Sequence, residues 1–198
     1  MRETIIHDVL IPALNQLYQI DYDNIRFGVS ERNVCARLAH HMETLMRRYD
    51  ENNAKTVFQN YFADVEYNRM GDGKKKYFEN SLKRPQYMIS DLLIQSRGQE
   101  RNYLAVEMKR KGAYMLESRD DDRKRLCSLV SSQTEESENQ CVHDTLIGAF
   151  IVYSSKYVII ELYENVNNVV SLSDILHFVY NETDKVLRPY TSARRTGL

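Results

Sequence analysis

The sequence predicts an α/β or α+β domain in which a mixed β-sheet is flanked by helices. Three features support this class: apolar residues recur at helical spacing early in the chain, two apolar runs flank a polar turn in its middle, and two more β-rich runs follow a charged helical stretch. No repeat or linker-like stretch divides the 198 residues. We therefore expect one domain over 1–198, with a helical extension at 1–28 and a mobile tail at 188–198.

Two amphipathic helices are expected before the first strand. Residues 3–20 carry apolar side chains at helical spacing, with a kink at Pro12 because proline donates no backbone hydrogen bond. Ser30 is a good N-cap for the second helix, which we expect to run to about Arg48. Glu31 lies one helical turn before the first apolar residues of this helix, so it continues their stripe toward the core. The stripe comprises Val34, Cys35, Leu38, Met42, Leu45 and Met46.

The middle of the chain predicts a β-hairpin. Two apolar runs, 87–94 and 103–108, flank the polar segment SRGQER, which contains the only glycine between them. A turn centred on that glycine pairs residues whose numbers sum to about 198, so Asp91 should face Glu107. Because side chains alternate along a strand, Asp91, Glu107 and Lys109 share a charged face. The opposite, core-facing side carries Leu92, Ile94, Leu104, Val106 and Met108.

In this register Asp91 and Glu107 form an unfavourable pair of like charges. Two carboxylates directly across an antiparallel ladder lie roughly 5 Å apart and repel each other unless a cation lies between them. Lys109 lowers the repulsion, but it cannot bridge both acids as a divalent ion can. The pair therefore indicates a cation site, and the alternative is a solvated strand face with a weak surface ion pair.

The same residues resemble a known nuclease motif. An aspartate at the start of one strand and Glu-x-Lys near the end of the next are similar to the motif of the PD-(D/E)xK phosphodiesterases, the restriction-endonuclease-like nucleases. Here the residues are Ser90-Asp91 and Glu107-Met108-Lys109. Ser90 stands where the family name has proline, which is the loosest part of the motif. The resemblance implies an αβββαβ core and a metal-dependent nuclease that most often cuts DNA, in defence or mobile-element biology.

The resemblance also implies a role for each residue of the motif. Asp91 and Glu107 would bind Mg²⁺ or Mn²⁺, with the Met108 carbonyl as a further ligand, because these ions prefer oxygen donors. Lys109 would orient the attacking water or neutralise the charge that develops on the phosphate. Glu31 matches an acid that the first core helix of the family often supplies beside the metal. Helix capping explains a glutamate at this position equally well.

A second acidic run is similar to a feature of small bacterial members of the same group. Residues 57–68 predict the first strand, and the residues from Asp64 to Arg69 match a D-x-E-Y-N-R run in those proteins. Asp64 and Glu66 are therefore secondary candidates for the site. An edge strand that carries charge to prevent aggregation is the competing explanation.

Positive charge is concentrated around the predicted hairpin. The net charge of the chain is −1, but the segment from Arg69 to Lys111 contains eleven Lys and Arg against five Asp and Glu. Because a phosphate backbone is bound through such a surplus, nucleic acid, and DNA above all, is the predicted partner. A solvated charged face is the alternative for each cluster. The candidate phosphate contacts are Lys74, Lys75, Arg110, Lys111 and Lys124.

The second half of the chain predicts a helix, a hairpin and a last helix. The helix over RDDDRKRLCSLVSS has acids in its first turn. Its Arg123, Lys124 and Arg125 could reach phosphate, and the alternative is that basic residues on a surface helix make no specific contact. A polar loop separates this helix from a hairpin formed by 146–153 and 157–163. Ser173 is expected to cap the last helix. The packing side of that helix carries Leu172, Ile175, Leu176 and Val179.

Other features of the sequence restrict the class of protein. Cys35, Cys127 and Cys141 are odd in number and lack metal-ligand spacing, so we expect free thiols. No apolar run approaches the eighteen or so residues of a membrane span, and the N-terminus lacks a signal-peptide core, so a cytoplasmic protein is the default. The rival to an enzyme is a non-catalytic nucleic-acid-binding or regulatory module on the same fold. A homodimer, or a partner protein in a larger system, is compatible with either.

Overall fold

The structure, a computed structural model, describes residues 1–66, 77–79, 85–87, 89–96, 101–112, 116–131 and 145–190. Its helical elements are a π-helical segment, Thr4–Leu10, followed by α1 (Ile11–Ile20), α2 (Tyr22–Arg26), α3 (Glu31–Asn53) and α4 (Leu116–Val130). Its strands are β1 (Tyr61–Val65), β2 (Tyr77–Glu79), β3 (Pro85–Tyr87), β4 (Leu92–Ser96), β5 (Asn102–Arg110), β6 (Thr145–Tyr153), β7 (Tyr157–Val166), β8 (Val169–Asn181) and β9 (Val186–Pro189).

The chain folds around a mixed seven-stranded sheet. The strand order is β1-β4-β5-β6-β7-β8-β9, and β2 pairs with β3 in a separate two-stranded sheet. In the large sheet β5 and β6 are parallel, with α4 between them in the chain, and all other neighbours are antiparallel. The predicted class, a mixed sheet with flanking helices, is confirmed.

The N-terminal helices pack on the sheet. The change from π-helical to α-helical bonding falls at Ile11, next to Pro12, because proline cannot donate the backbone hydrogen bond that regular helix needs there. The apolar residues of both segments are buried, and the hydroxyl of Tyr18 donates to the Ser154 carbonyl at 2.6 Å. The predicted turn after residue 20 instead contains the short helix α2.

Helix α3 begins where the sequence predicts it. The Ser30 hydroxyl accepts a hydrogen bond from the Asn33 N–H at 3.4 Å, as an N-cap does. The helix continues past Arg48 to Asn53 and ends at Ala54, which adopts a left-handed conformation with φ of 49°. Each residue of the predicted apolar stripe is buried.

The register of the central hairpin is the predicted one. Leu92 pairs with Val106, and Ile94 pairs with Leu104. Strand β4 begins only at Leu92, so Asp91 lies just before the strand rather than within it. Tyr87, where we expected the strand to start, instead ends β3.

Both faces of this hairpin are covered, and not one face alone as expected. The α3 face of the sheet carries the predicted apolar residues, which pack against the N-terminal helices and α3. The α4 face carries a second apolar cluster, in which Leu93, Ala105 and Phe150 pack against Leu126 and Leu129 of α4. The charged groups of β5 therefore lie beneath a helix, which changes their environment from solvent to protein interior.

The predicted last helix is wrong. Its residues form β8, which turns back on β7 through Asn167 and Asn168, with φ of 53° and 64°. Positive φ at two successive residues is typical of tight hairpin turns, and asparagine tolerates it well. Alternation along the strand then turns Phe178 and Tyr180 inward. The residues that we placed on a helical packing face, Leu172, Ile175 and Val179, are exposed, and Leu176 is partly buried.

Other predicted bounds need smaller corrections. The first strand is Tyr61–Val65, shorter than 57–68, and the predicted tail at 188–198 begins within β9. The hairpin of β6 and β7 is confirmed. Residues 132–144, the predicted polar loop, and 191–198 lie outside the described residues. Among the helices of the described ranges, none is both long enough and apolar enough to cross a membrane.

Candidate functional site

The end of β5 brings two acids of the predicted site to fixed positions. The backbone N–H of Met108 donates to Oδ2 of Asp91 at 2.7 Å. The backbone N–H of Arg110 donates to Oε1 of Glu31 at 2.9 Å. Asp91 comes from the start of β4 and Glu31 from the first turn of α3, so three separate elements meet at this point.

Lys109 lies between carboxylates. Its Nζ is 3.5 Å from Oε2 of Glu31 and 3.3 Å from Oδ2 of Asp122, which belongs to α4. Burial alone would lower the pKa of the Lys109 ammonium, but the charges of Asp91, Asp122 and Glu31 outweigh it and raise that pKa. The lysine is therefore held as a cation.

Glu107 is fully buried and paired with α4. Its carboxylate accepts two hydrogen bonds from Arg125, from Nε at 2.9 Å and from Nη2 at 2.8 Å. Nη2 of Arg125 also donates to Oδ1 of Asp122 at 2.6 Å. This two-point geometry is the strong form of an arginine-carboxylate pair, and it anchors α4 to β5.

Burial shifts the pKa values of the central acids upward. Desolvation raises the pKa of Glu107 to about 8, with Arg125 opposing the shift and the charge of Asp91 adding to it. Desolvation likewise raises the pKa of Asp91, against the hydrogen bond from the Met108 N–H. The hydrogen bond from the Met108 N–H places the Asp91 carboxylate beside the residue that follows Glu107.

We call this group of six side chains the acidic cluster. It contains four carboxyl groups and two cations, so with every carboxyl ionised it carries two excess negative charges. The pKa of the buried Cys35 thiol beside it is raised by burial and then by the nearby acids. The cluster comprises Glu31, Asp91, Glu107, Lys109, Asp122 and Arg125.

The sequence analysis missed Asp122 and misplaced Arg125. We expected Arg123 and Arg125 to reach phosphate, but Arg123 forms a two-point pair with Glu161 of β7 and Arg125 pairs with Glu107. Helical spacing could have shown this, because 122, 125 and 129 fall on one side of α4 together with the buried Leu126. A residue on that side faces the sheet.

The secondary candidates lie at the end of β1. The backbone N–H of Glu66 donates to the Asp91 carbonyl at 3.2 Å, so the end of this strand adjoins the start of β4. The Glu66 carboxylate pairs with Arg32 of α3, the residue after Glu31. Oδ2 of Asp64 accepts a hydrogen bond from Gln95 at 2.8 Å.

The predicted phosphate contacts have different surroundings. Lys74 and Lys75 lie outside the described residues. Lys111 is exposed and Arg110 is half-buried, and both lie at the end of β5. Lys124 is exposed on α4, and its Nζ lies 3.5 Å from Oδ1 of Asp121. Among the positions that the structure describes, Arg110 and Lys111 follow directly on Lys109 of the acidic cluster.

The carboxylate oxygens of the cluster and the nearby Met108 carbonyl oxygen are of the type that Mg²⁺ and Mn²⁺ prefer. Within the described ranges, no group of three or more His, Cys, Asp or Glu side chains is arranged so that it could hold a metal ion. Arg125 contacts both carboxylate oxygens of Glu107 and supplies the positive charge beside them. The carboxylates therefore match a divalent cation in donor type and in charge, while their arrangement in the described residues is that of an ion-pair network, with Arg125 on both oxygens of Glu107.

Comparisons with known proteins add nothing to this geometry. No protein family profile matches the chain, and no curated protein matches it.

Proposed function

We propose that the chain is a metal-dependent phosphodiesterase that hydrolyses nucleic acid, with DNA as the favoured substrate. The observation that carries the proposal is the acidic cluster: four carboxyls from four parts of the fold meet around Lys109 and Arg125 at the end of β5, and when all are ionised they carry more negative charge than these two cations neutralise. A surface ion pair would not require such convergence.

The order of the elements supports the same proposal. Helix α3, strands β1, β4 and β5, helix α4 and strand β6 follow one another in the large sheet and its flanking layers, with β2 and β3 inserted as a separate pair. With β2 and β3 set aside, this order is compatible with the αβββαβ core that the resemblance implies, and it supports the proposal. Asp91 lies just before the second of these strands and Glu107 near the end of the third, which supports the proposal.

Each residue then has a defined task. Asp91 and Glu107 would hold Mg²⁺ or Mn²⁺, with the Met108 carbonyl as a further ligand, and the ion would supply Lewis acidity toward the phosphoryl group and toward a bound water. Lys109 donates hydrogen bonds from Nζ to the phosphate oxygens as negative charge grows there. Glu31 and Asp122 hold the ammonium of Lys109 in place from either side. The oxygen of water bonds to phosphorus while that water gives up a proton, the bond to the leaving oxygen breaks, and the leaving oxygen takes up a proton from solvent, so that one water is consumed.

A non-catalytic nucleic-acid-binding module is the second candidate, and one contact favours it. Arg125 already contacts both carboxylate oxygens of Glu107, so the acid can serve as a structural ion pair without a metal. This module would bind nucleic acid equally well in Mg²⁺ and in a chelator, and would leave it intact.

A cleavage assay separates the two candidates. Purified protein is incubated with supercoiled plasmid and with single-stranded DNA in Mg²⁺, Mn²⁺ or EDTA. We expect cleavage with metal, none in EDTA, and loss of activity in Lys109→Ala and Glu107→Gln. Lys55→Ala is the control, since this lysine follows the far end of α3 and contacts the Tyr49 ring. Cleavage that survives both site substitutions would remove the site assignment, and binding without cleavage in every metal would favour the second candidate.

A further inference from the structure

Four basic side chains beside the acidic cluster make no ion pair with any residue in the described ranges. They are Arg26 at the end of α2, Arg110 and Lys111 at the end of β5, and Lys156 in the turn between β6 and β7. By contrast, Lys109 and three basic residues of α4, Arg123, Lys124 and Arg125, are each paired with an acid. Unpaired cations gathered at one place are free to bind an external anion.

The loop between α2 and α3 is joined to the end of β5. The guanidinium of Arg110 lies against Gly28, so closely that a Cβ added to this glycine would be 1.8 Å from Nη1 of Arg110. Gly28 has φ of +72°, which glycine adopts without strain. The hydrogen bond from the Arg110 N–H to Glu31 holds the other end of the same loop. The loop is thus fixed directly beside the acidic cluster.

The turn between β6 and β7 completes this surface. The Tyr22 hydroxyl donates to the Ser155 carbonyl at 3.2 Å, which brings α2 to this turn. The Lys111 N–H donates to the Tyr153 carbonyl at 2.8 Å. Nζ of Lys111 lies 4.8 Å from the ring centroid of Tyr157. The four cations therefore share one end of the sheet, and we call them, together with Phe27, the basic rim.

Phe27 is the apolar member of the rim. Phe27 is 73% exposed, and the guanidinium carbon of Arg26 lies 5.6 Å from the centroid of its ring. An exposed aromatic ring among unpaired cations is the combination that binds single-stranded nucleic acid, because bases stack on the ring while cations bind the phosphates. A duplex offers no base faces to such a ring, since its bases are stacked on each other.

We propose that the basic rim binds unpaired, single-stranded nucleic acid, with one base stacked on Phe27 and the adjoining phosphates on Arg110, Lys111 and Lys156. The inference deepens the proposed function by giving its substrate class, and it rests on that function only for cleavage. Binding itself is measured separately, in the absence of metal.

The first test replaces the aromatic ring of Phe27. Fluorescence anisotropy in EDTA is used to compare labelled single strands of about 15 nucleotides, as DNA and as RNA, with a blunt duplex. We expect the wild type to bind single strands more tightly than duplex. Phe27→Leu should weaken single-strand binding about tenfold, since stacking is worth roughly 1–3 kcal/mol per base, while Phe27→Tyr keeps a ring and should bind as the wild type does. Ile20→Ala, at a residue 66% exposed, is the control for an exposed apolar side chain.

The second test removes the positive charge of one lysine of the basic rim. Removing one phosphate contact from a single strand should lower the slope of log K against log salt by about 0.7, so Lys111→Ala should show that decrease. Phe27→Leu should leave the slope unchanged, because stacking releases no counterion. Lys55→Ala, beyond the far end of α3, should change neither affinity nor slope.

The outcomes separate this inference from the proposed function. Cleavage of DNA together with unchanged single-strand binding in Phe27→Leu would overturn the inference and leave the proposed function standing. Ring-dependent single-strand binding without cleavage in any metal would support the inference and favour the non-catalytic candidate. Tighter binding to duplex than to single strands, or no binding to any of the three probes, would overturn the inference.

Discussion

The Glu107 side chain has no exposed surface, and both of its carboxylate oxygens accept hydrogen bonds from the guanidinium of Arg125. Burying a charge costs several kcal/mol unless a partner and hydrogen bonds compensate, and Arg125 compensates only in part, since burial still raises the pKa of Glu107 to about 8. Asp122 shares the same guanidinium and also contacts Lys109, so the acids of β5 and α4 are coupled through two cations. A substitution at any one of these residues should therefore change the electrostatic environment of the others.

Arg125→Ala tests the strength of the buried pair. Removing the partner leaves an uncompensated buried carboxyl, so we expect the free energy of unfolding to fall by about 3 kcal/mol, measured by urea denaturation. Arg32→Ala is the matched control, because its pair with Glu66 is exposed, and its loss should cost less than about 1 kcal/mol. Equal losses in the two variants would show that the Arg125 pair is no stronger than a surface pair.

The pH dependence of stability tests the state of Glu107. Its pKa in the folded protein is about 8, against roughly 4.3 in an unfolded chain. The folded state therefore holds the proton more tightly, and the resulting stability is fully present below the unfolded pKa and is lost as pH rises toward 8. We expect a decrease of at most about 1.4 kcal/mol per pH unit between these values.

Glu107→Gln provides the comparison for that profile. The amide cannot titrate, so the difference in unfolding free energy between wild type and variant should change with pH between 5 and 8 in the direction given above. Unfolding is measured in urea at each pH, with EDTA present. A difference that stays constant over this range would contradict the raised pKa.

At the scale of elements, the site depends on how closely α4 approaches β6. A Cβ added to Gly148 would lie 2.9 Å from Cγ of Leu126 and 2.9 Å from Cγ2 of Val130. Only glycine at this position lets the helix pack at its present distance, and that distance sets where Asp122 and Arg125 stand relative to β5. The glycine of β6 thus positions side chains on another element.

Gly148→Ala should accordingly lower the free energy of unfolding. Overpacking of this kind costs roughly 1–3 kcal/mol, which urea denaturation would detect. Leu126→Ala makes room for the added methyl group, so the double variant should lose less stability than the sum of the two single changes. Simple additivity would show that the added Cβ does not meet Leu126 and that the packing argument is wrong.

Local patterns predict some elements well and fail for others. The hairpin register follows from one glycine in a polar turn, and the start of α3 follows from a serine cap, because both are set by neighbouring residues. Strand β8 was predicted as a helix because its apolar residues fit both the helical and the strand period. The turn signal at Asn167-Asn168 decides between the two. Helical spacing predicts which side of α4 faces the sheet, but it does not predict which strand that side packs against.

At the scale of the whole molecule, the site arises from contacts that sequence spacing does not encode. Glu31, Glu107 and Asp122 come together because α3 and α4 cover opposite faces of one sheet and both approach the end of β5. The sequence suggested three of the four acids through a resemblance, but the burial of Glu107 depends on a helix that packs across β5 and β6. Topology of this kind fixes the pKa values and ion pairs, so they could not be predicted.

The claim on which the account depends is that Asp91 and Glu107 hold one common divalent ion. Mn²⁺ binding measured by electron paramagnetic resonance tests it directly, because free and bound ions give distinguishable signals. We predict one bound Mn²⁺ per chain, lost in Asp91→Asn and in Glu107→Gln and retained in Asp64→Asn, whose side chain bonds to Gln95 instead. Mn²⁺ bound equally by the wild type and Asp91→Asn, or no bound Mn²⁺ in the wild type, would contradict the claim.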